Sequence, residues 1–340
     1  GEGGICGLVL FLAYILFYSL RLQNYKENTN NPNFITYFLL ICFGKKKKCH
    51  YFCRQITKIP SHRLQPSRNT MINNQLLHPE SIVIIGGSNN KHKPGGAIVR
   101  NILQGGYKGV LRIVNPKEDE VQGIKAFNDC KVLPPTDLAI LVVAAKYCPE
   151  YVEYLASEKG VKAFIIISAG FGEETKEGAE MENQILASCE KYGCALIGPN
   201  CIGLMNSWYH GVFTKPIPQL RANGVDFISS SGATAVFILE SAVSKGLPFN
   251  SVWSVGNAKQ INVEEVLQYM DETFDPERDS HIKLLYIENV SDPDKLLFHA
   301  SSLIRKGCRI AAIKSGSSES GSRAASSHTG AIASSDSAVE

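Results

Sequence analysis

The feature that most constrains this chain is a recurring pair of patterns. A short, unbroken run of Val, Ile, Leu or Ala is followed by a longer stretch whose apolar residues return every three or four positions. In the first half the apolar runs fall at 81–86, 110–115, 138–143, 163–168 and 194–198, and the amphipathic stretches at 96–104, 149–159 and 177–192. Runs that do not alternate with polar residues suit strands buried on both faces. Such strands are parallel, and parallel neighbours need crossover helices of the kind interleaved here. A second series has strands at 225–229, 251–255, 283–288 and 309–314, with helices at 233–245, 263–272 and 293–306. Residues 206–223, with Trp, Tyr and Pro but no period, read as the connection. The pattern predicts an α/β chain of two doubly wound domains, for which 340 residues leave room.

Charge is divided unevenly along the chain. Residues 1–70 carry ten Lys or Arg against two Asp or Glu, a net of +8, whereas residues 71–340 carry twenty-five against thirty, a net of −5. The body therefore lacks the basic footprint of a nucleic-acid binder. Residues 3–20 are apolar and free of charge, and a run of lysines at 45–48 could flank a membrane anchor on its cytoplasmic side. The same leader is crowded with residues of A/T-rich codons, and the first Met is Met71. Residues 1–70 are accordingly read as translated upstream DNA, with a membrane anchor as the alternative. Of ten Cys, Cys49 and Cys53 flank His50 but meet no second ligand pair that would close a zinc site. Cys130, Cys148, Cys189, Cys194, Cys201 and Cys308 lie mostly in apolar runs, as small buried hydrophobes of a cytoplasmic protein, and no metal site is expected.

The chemistry-bearing residues sit where strands give way to loops. Gly86, Gly87 and Ser88 end the first strand, and Pro94-Gly95-Gly96 opens the next helix, so backbone amides could meet a phosphate there. The second strand ends in Asn115-Pro116-Lys117, without the acid that a nicotinamide dinucleotide's ribose requires; Lys117 suits a phosphorylated ribose better. Ser229-Ser230-Ser231-Gly232 leads from a strand into a helix, either as an anion cradle or as an ordinary Ser cap. Glu288 ends the strand LLYIE, next in sequence to the strand that enters the Gly/Ser-rich stretch around His328. A histidine among hydroxyls and glycine amides suits a phosphoryl acceptor, and a neighbouring carboxylate would orient the ring. A solvated linker and a solvated Glu are the plainer readings. In Gly198-Pro199-Asn200-Cys201-Ile202-Gly203, Asn200 offers a donor and an acceptor to the same crevice, while Cys201 has no base near it in sequence.

Together these segments resemble the α part of the ADP-forming acyl-CoA synthetases, relatives of succinyl-CoA synthetase. The matching pieces are SIVIIGGSNN…PGG, VNPK, IISAGFGE, IGPNCIGLMN, ISSSGATA, SVGNAKQINVEEVLQY, YIENVSD and KSGSSESGSRAASSHTGAIASSD, in the family's order over about 71–340. The resemblance implies a Rossmann-like CoA-binding domain at 71–206 and a flavodoxin-like domain at 207–340. It implies His328 as transient phosphoryl acceptor, Glu288 as the acid that stabilises phosphohistidine, and Ser231 and Gly232 as phosphate cradle. Gly86, Gly87, Ser88, Lys117, Val143, Ala144 and Ala145 would form the CoA surface, with Asn200 at the acyl and phosphate end. The implied reaction converts acetyl-CoA, phosphate and ADP to acetate, CoA and ATP. Mg2+ and ADP/ATP would bind an ATP-grasp module that nothing here resembles, fused downstream or carried on another chain, in an oligomeric assembly. Lys259-Gln260 after SVGNA, and Ser317 where an Arg is frequent, depart from the family pattern. The competing expectation is a non-catalytic CoA-sensing module of a fused acyltransferase.

Overall fold

The computed structural model describes residues 39–40 and 71–315. His328 and the rest of its loop lie outside the described residues, as does nearly all of the leader. The first sheet comprises β1 (Ser81–Ile85), β2 (Val110–Val114), β3 (Glu120–Val121), β4 (Ile124–Phe127), β5 (Leu138–Leu141), β6 (Ala163–Ile166) and β7 (Ala195–Ile197). Helices α1 (Pro94–Gln104), α2 (Cys148–Glu158) and α3 (Lys176–Tyr192) cross between them. The order is β3-β4-β2-β1-β5-β6-β7, all parallel except the β3–β4 pair. Chain order reverses direction between β1 and β5, so their carboxyl ends open a crevice.

The second sheet comprises β8 (Gly203–Met205), β9 (His210–Val212), β10 (Leu220–Ser229), β11 (Phe249–Ser254), β12 (Ile282–Ile287) and β13 (Arg309–Lys314), with α4 (Gly232–Ser244), α5 (Val263–Glu272) and α6 (Pro293–Arg305) as crossovers. From one edge the order is β13-β12-β10-β11-β8-β9, and Leu39–Leu40 pairs in parallel outside β13. Strands β10 to β13 are parallel, while β8 runs antiparallel to β11 and to β9. Here the reversal falls between β10 and β12. The stretch expected to be a connection thus holds β9 and the start of β10, and β8 already belongs to the second sheet. Three-residue strands are too short to leave a period in the sequence.

Side chains alternate across β1: Ile82 and Ile84 pack into one core, Val83 and Ile85 into another. Both faces are therefore covered, as the unbroken apolar runs require. The core holding Ile82 and Ile84 also takes in Ile228, Trp253, Leu267 and Leu285 from the second domain, so one apolar core runs through both sheets. Shared burial fixes the sheets against each other and aims the carboxyl ends of their strands at a common space. At the opposite, amino end of the second sheet, Lys283 and Asp226 form a buried ion pair; Asn250 and Ser251 donate to the other Asp226 oxygen.

Candidate functional site

A cleft of about 680 Å³ lies between the two sheets, lined by strand ends from both. The first domain contributes Pro94, Val142, Val143, Ile167, Ser168 and Ala169; the turn after β7 contributes Asn200, Cys201 and Ile202; the second domain contributes Ser230, Ser231, Gly232, Asn257 and Glu288 among others. The cleft thus brings together Val143, Asn200, Ser231, Gly232 and Glu288 from the residues expected in the sequence. Gly86, Gly87, Ser88, Lys117, Ala144 and Ala145 are not among the residues that line it; Lys117 and Ala144 are exposed, and Ala145 is buried.

The glycine turn is shaped by close backbone approach. Gly86 has φ +90° and a Cβ there would stand 2.5 Å from the Val142 carbonyl oxygen, so only glycine fits at the switch between β1 and β5. Asn115 donates from Nδ2 to the Gly87 carbonyl at 2.8 Å, and its Oδ1 accepts from the Lys117 N–H at 2.9 Å. Gln122 donates from Nε2 to the Ser88 and Gly96 carbonyls at 3.0 and 2.9 Å. Asn115 therefore stands at the cofactor-acid position but serves as a brace, holding the turn and the root of Lys117 together.

At the second switch, register decides the geometry. Ser229 pairs with Tyr286, and the Ser230 N–H donates to the Tyr286 carbonyl at 2.9 Å, which puts Ser231 and Glu288 at the same height above neighbouring strand ends. The Ser231 hydroxyl caps α4, accepting from the Thr234 N–H at 3.3 Å. The first amides of α4 have no carbonyl partners within the helix and carry the positive end of its dipole. Ser230 is 8% exposed and lines the cleft, and its hydroxyl is buried with no hydrogen-bond partner among the described residues. A buried hydroxyl left so is costly unless something in the cleft meets it. Sequence reasoning placed Ser230 in the Ser229–Gly232 stretch without singling it out, because only strand register distinguishes it from Ser229 and Ser231.

Glu288 is half-buried at the end of β12. Burial raises the Tyr286 phenol above its ordinary value, and the Glu288 carboxylate, which accepts its hydrogen bond, adds to the shift. The expected adjacency of strands holds: β12 pairs with β13 in parallel. Ser315 donates its N–H to the Ile287 carbonyl at 2.8 Å, and Lys314 donates from Nζ to the Glu288 carbonyl at 3.0 Å. Ser315, the last described residue, thus stands beside the strand end that carries Glu288. Cys201 is excluded as a nucleophile: burial pushes its thiol up to about 12, and its Sγ donates to the Ile166 carbonyl. Among the described residues, no group of three or more His, Cys, Asp or Glu stands together as metal ligands, and no helix is long and apolar enough to cross a membrane.

Comparison with known proteins agrees with this architecture. Residues 80–207 match the CoA binding domain family and residues 222–340 match the succinyl-CoA ligase like flavodoxin domain family. The α subunit of acetate–CoA ligase [ADP-forming] II from Pyrococcus furiosus is 38% identical over 259 residues, 76% of this chain and 55% of that subunit. The acetate–CoA ligase [ADP-forming] of Methanocaldococcus jannaschii is 37% identical over 264 residues, 77% of this chain and 36% of that protein. Among solved structures, the dinucleotide-forming acetyl-coenzyme A synthetase 1 of Ca. Korarchaeum cryptofilum, in complex with phosphate and ADP, superposes with a TM-score of 0.70 at 29% identity, covering 79% of this chain and 57% of that one. The chain spans little more than half the length of such relatives at most.

Proposed function

Because the chain belongs to the ADP-forming acyl-CoA synthetase family, joining a Rossmann-like CoA-binding domain to a flavodoxin-like one, we propose that it performs the acyl-CoA and phosphate half of such a reaction. Domains at 71–206 and 207–340 divide the work: the first holds CoA, the second the phosphate and the phosphoryl group. The observation that carries the proposal is the shared cleft, where a Ser230 hydroxyl without a partner among the described residues, the start of α4 and Glu288 stand opposite the first domain's strand ends.

Phosphate attacks the thioester carbonyl carbon of acetyl-CoA; the C–S bond breaks and CoA leaves as the thiol. A ring nitrogen of His328 then attacks the phosphorus of the acyl phosphate, the P–O bond to the acyl oxygen breaks, and acetate departs. The Ser230 and Ser231 hydroxyls and the α4 amides offset charge on the phosphoryl oxygens, the main source of catalysis in such transfers. Glu288 holds the imidazole and its cationic form. Gly86, Gly87 and Ser88 let the backbone approach CoA, Lys117 meets its phosphorylated ribose, and Val143, Ala144 and Ala145 line its path. Asn200 faces the acyl and phosphate end. The phosphoryl group then passes to ADP on an ATP-grasp module, which also supplies the Mg2+ and nucleotide sites; that module is fused downstream or carried by another chain of an oligomer in the cytoplasm.

The test is phosphorylation of the chain itself. Incubated with acetyl-CoA and 32P-phosphate, it should take up an acid-labile, base-stable label that His328→Ala abolishes. Label that survives the substitution overturns the proposal. Acyl-CoA binding with no label at all would identify a sensing module instead.

A further inference from the structure

The loop that follows β11 docks on the turn that follows β7, across the junction of the two sheets. Asn257 donates its N–H to the Pro199 carbonyl at 2.9 Å, and Lys259 donates its N–H to the Gly198 carbonyl at 3.3 Å. Gly256, at φ +59°, lies so close that a Cβ would stand 2.2 Å from the Pro199 carbonyl oxygen. This contact carries the Asn257 side chain to two carboxylates of the first domain. Its Nδ2 donates to Glu173 Oε2 at 2.5 Å and to Glu182 Oε1 at 2.7 Å. Both acids are themselves held. Glu173 Oε1 accepts from the Gly170 N–H at 2.8 Å, and Glu182, 6% exposed, has Lys259 Nζ 3.9 Å from its other oxygen.

An ionised carboxylate only accepts, so two of them facing one amide leave a single orientation for it. The nitrogen end of Asn257 must face Glu173 and Glu182, and Oδ1 must face away. That oxygen lies 3.3 Å from Asn200 Nδ2. Asn200 must therefore turn its own nitrogen to Asn257, and its Oδ1 takes no hydrogen bond from any described residue. The backbone of Asn200 is held as well, at φ +56° with its N–H donating to the Ser168 carbonyl. Asn200 lines the cleft. The geometry points to Asn257 as a positioning residue: locked by Glu173 and Glu182, it fixes which end of the Asn200 amide faces the cleft, so that Asn200 offers Oδ1 there as a hydrogen-bond acceptor. The inference rests on the proposed function for the identity of what Asn200 meets, and on the geometry alone for the lock.

A double-mutant cycle tests it, read as the rate of acetyl-CoA-dependent 32P uptake by the chain. Asn200→Ala and Asn257→Ala should each slow labelling by roughly 3- to 10-fold, the scale of one hydrogen bond, with CoA affinity unchanged. The double variant should be no slower than Asn200→Ala alone, because Asn257 acts only through its partner. Independent losses that multiply would show a merely structural role and overturn the inference. Side-chain amide hydrogen exchange in the 15N-asparagine-labelled chain reads the lock without any turnover. Both Asn257 Nδ2 hydrogens should exchange slowly, and Asn200 should show one slow and one fast hydrogen. Exchange of the Asn257 amide at the rate of a free asparagine would sink the inference even if no labelling occurs. Slow exchange together with absent labelling would refute the functional reading and leave the lock standing.

Discussion

The two domains place a switch point in the same position and fill it with opposite chemistry. Between β1 and β5 the crevice is bare backbone: Gly86 against the Val142 carbonyl, with Asn115 and Gln122 bracing the turn from behind. Between β10 and β12 it is side-chain hydroxyl and carboxylate: Ser230 without a partner among the described residues, Ser231 capping α4, Glu288 at the same height. Backbone without side chains suits a large ligand that must lie close along a surface. A few donors converging at a helix start suit a small anion. One topology thus presents two kinds of surface, the two that the proposed transfer from thioester to phosphate calls for, and the shared core through both sheets keeps them facing one cleft.

Gly86→Ala should break the first half of this contrast most severely. A Cβ at φ +90°, driven into the Val142 carbonyl, costs about 1–3 kcal/mol in backbone strain alone, so thermal unfolding should shift down and CoA binding should fall with it. A variant as stable as the parent would show that the turn is not tight. Ser230→Ala should sharpen the second half. Its hydroxyl has no partner to lose among the described residues, so the melting temperature should hold or rise, while phosphate-dependent labelling slows by about 3- to 10-fold, the worth of one hydrogen bond to a charged group or less. A drop in stability with labelling intact would reverse the assignment. Lys117→Ala should have the smallest effect. The side chain is exposed, so CoA affinity should fall by about threefold or less at low salt and the difference should vanish at high salt. A loss independent of salt would mean that Lys117 acts through packing.

Much of the first-order structure was legible in the chain. The apolar runs placed every crossover-linked parallel strand of the two series, usually to within two residues, because burial on both faces leaves an unbroken signature. Helix α1 begins at Pro94 rather than at residue 96, since proline is accepted in the first turn, where no amide partner is lost. Strands β3, β4, β8 and β9 escaped notice: pieces of two to four residues at or near sheet edges carry no period to read. The candidate site divides in the same way. Val143, Asn200, Ser231, Gly232 and Glu288 follow strand ends and could be found by locating them.

Sequence alone determined the two doubly wound layers, the strand ends at which chemistry gathers, and the family those segments resemble, because each is encoded by neighbours along the chain. Only the tertiary structure decided that both switch points open on one cleft, that Ser230 rather than its neighbours stands there without a partner among the described residues, and that Asn257 reaches Glu173 and Glu182 across more than seventy residues. Those outcomes depend on strand register and on one core packed through both sheets, and a polar contact made across such a distance leaves no periodic mark in the sequence that makes it.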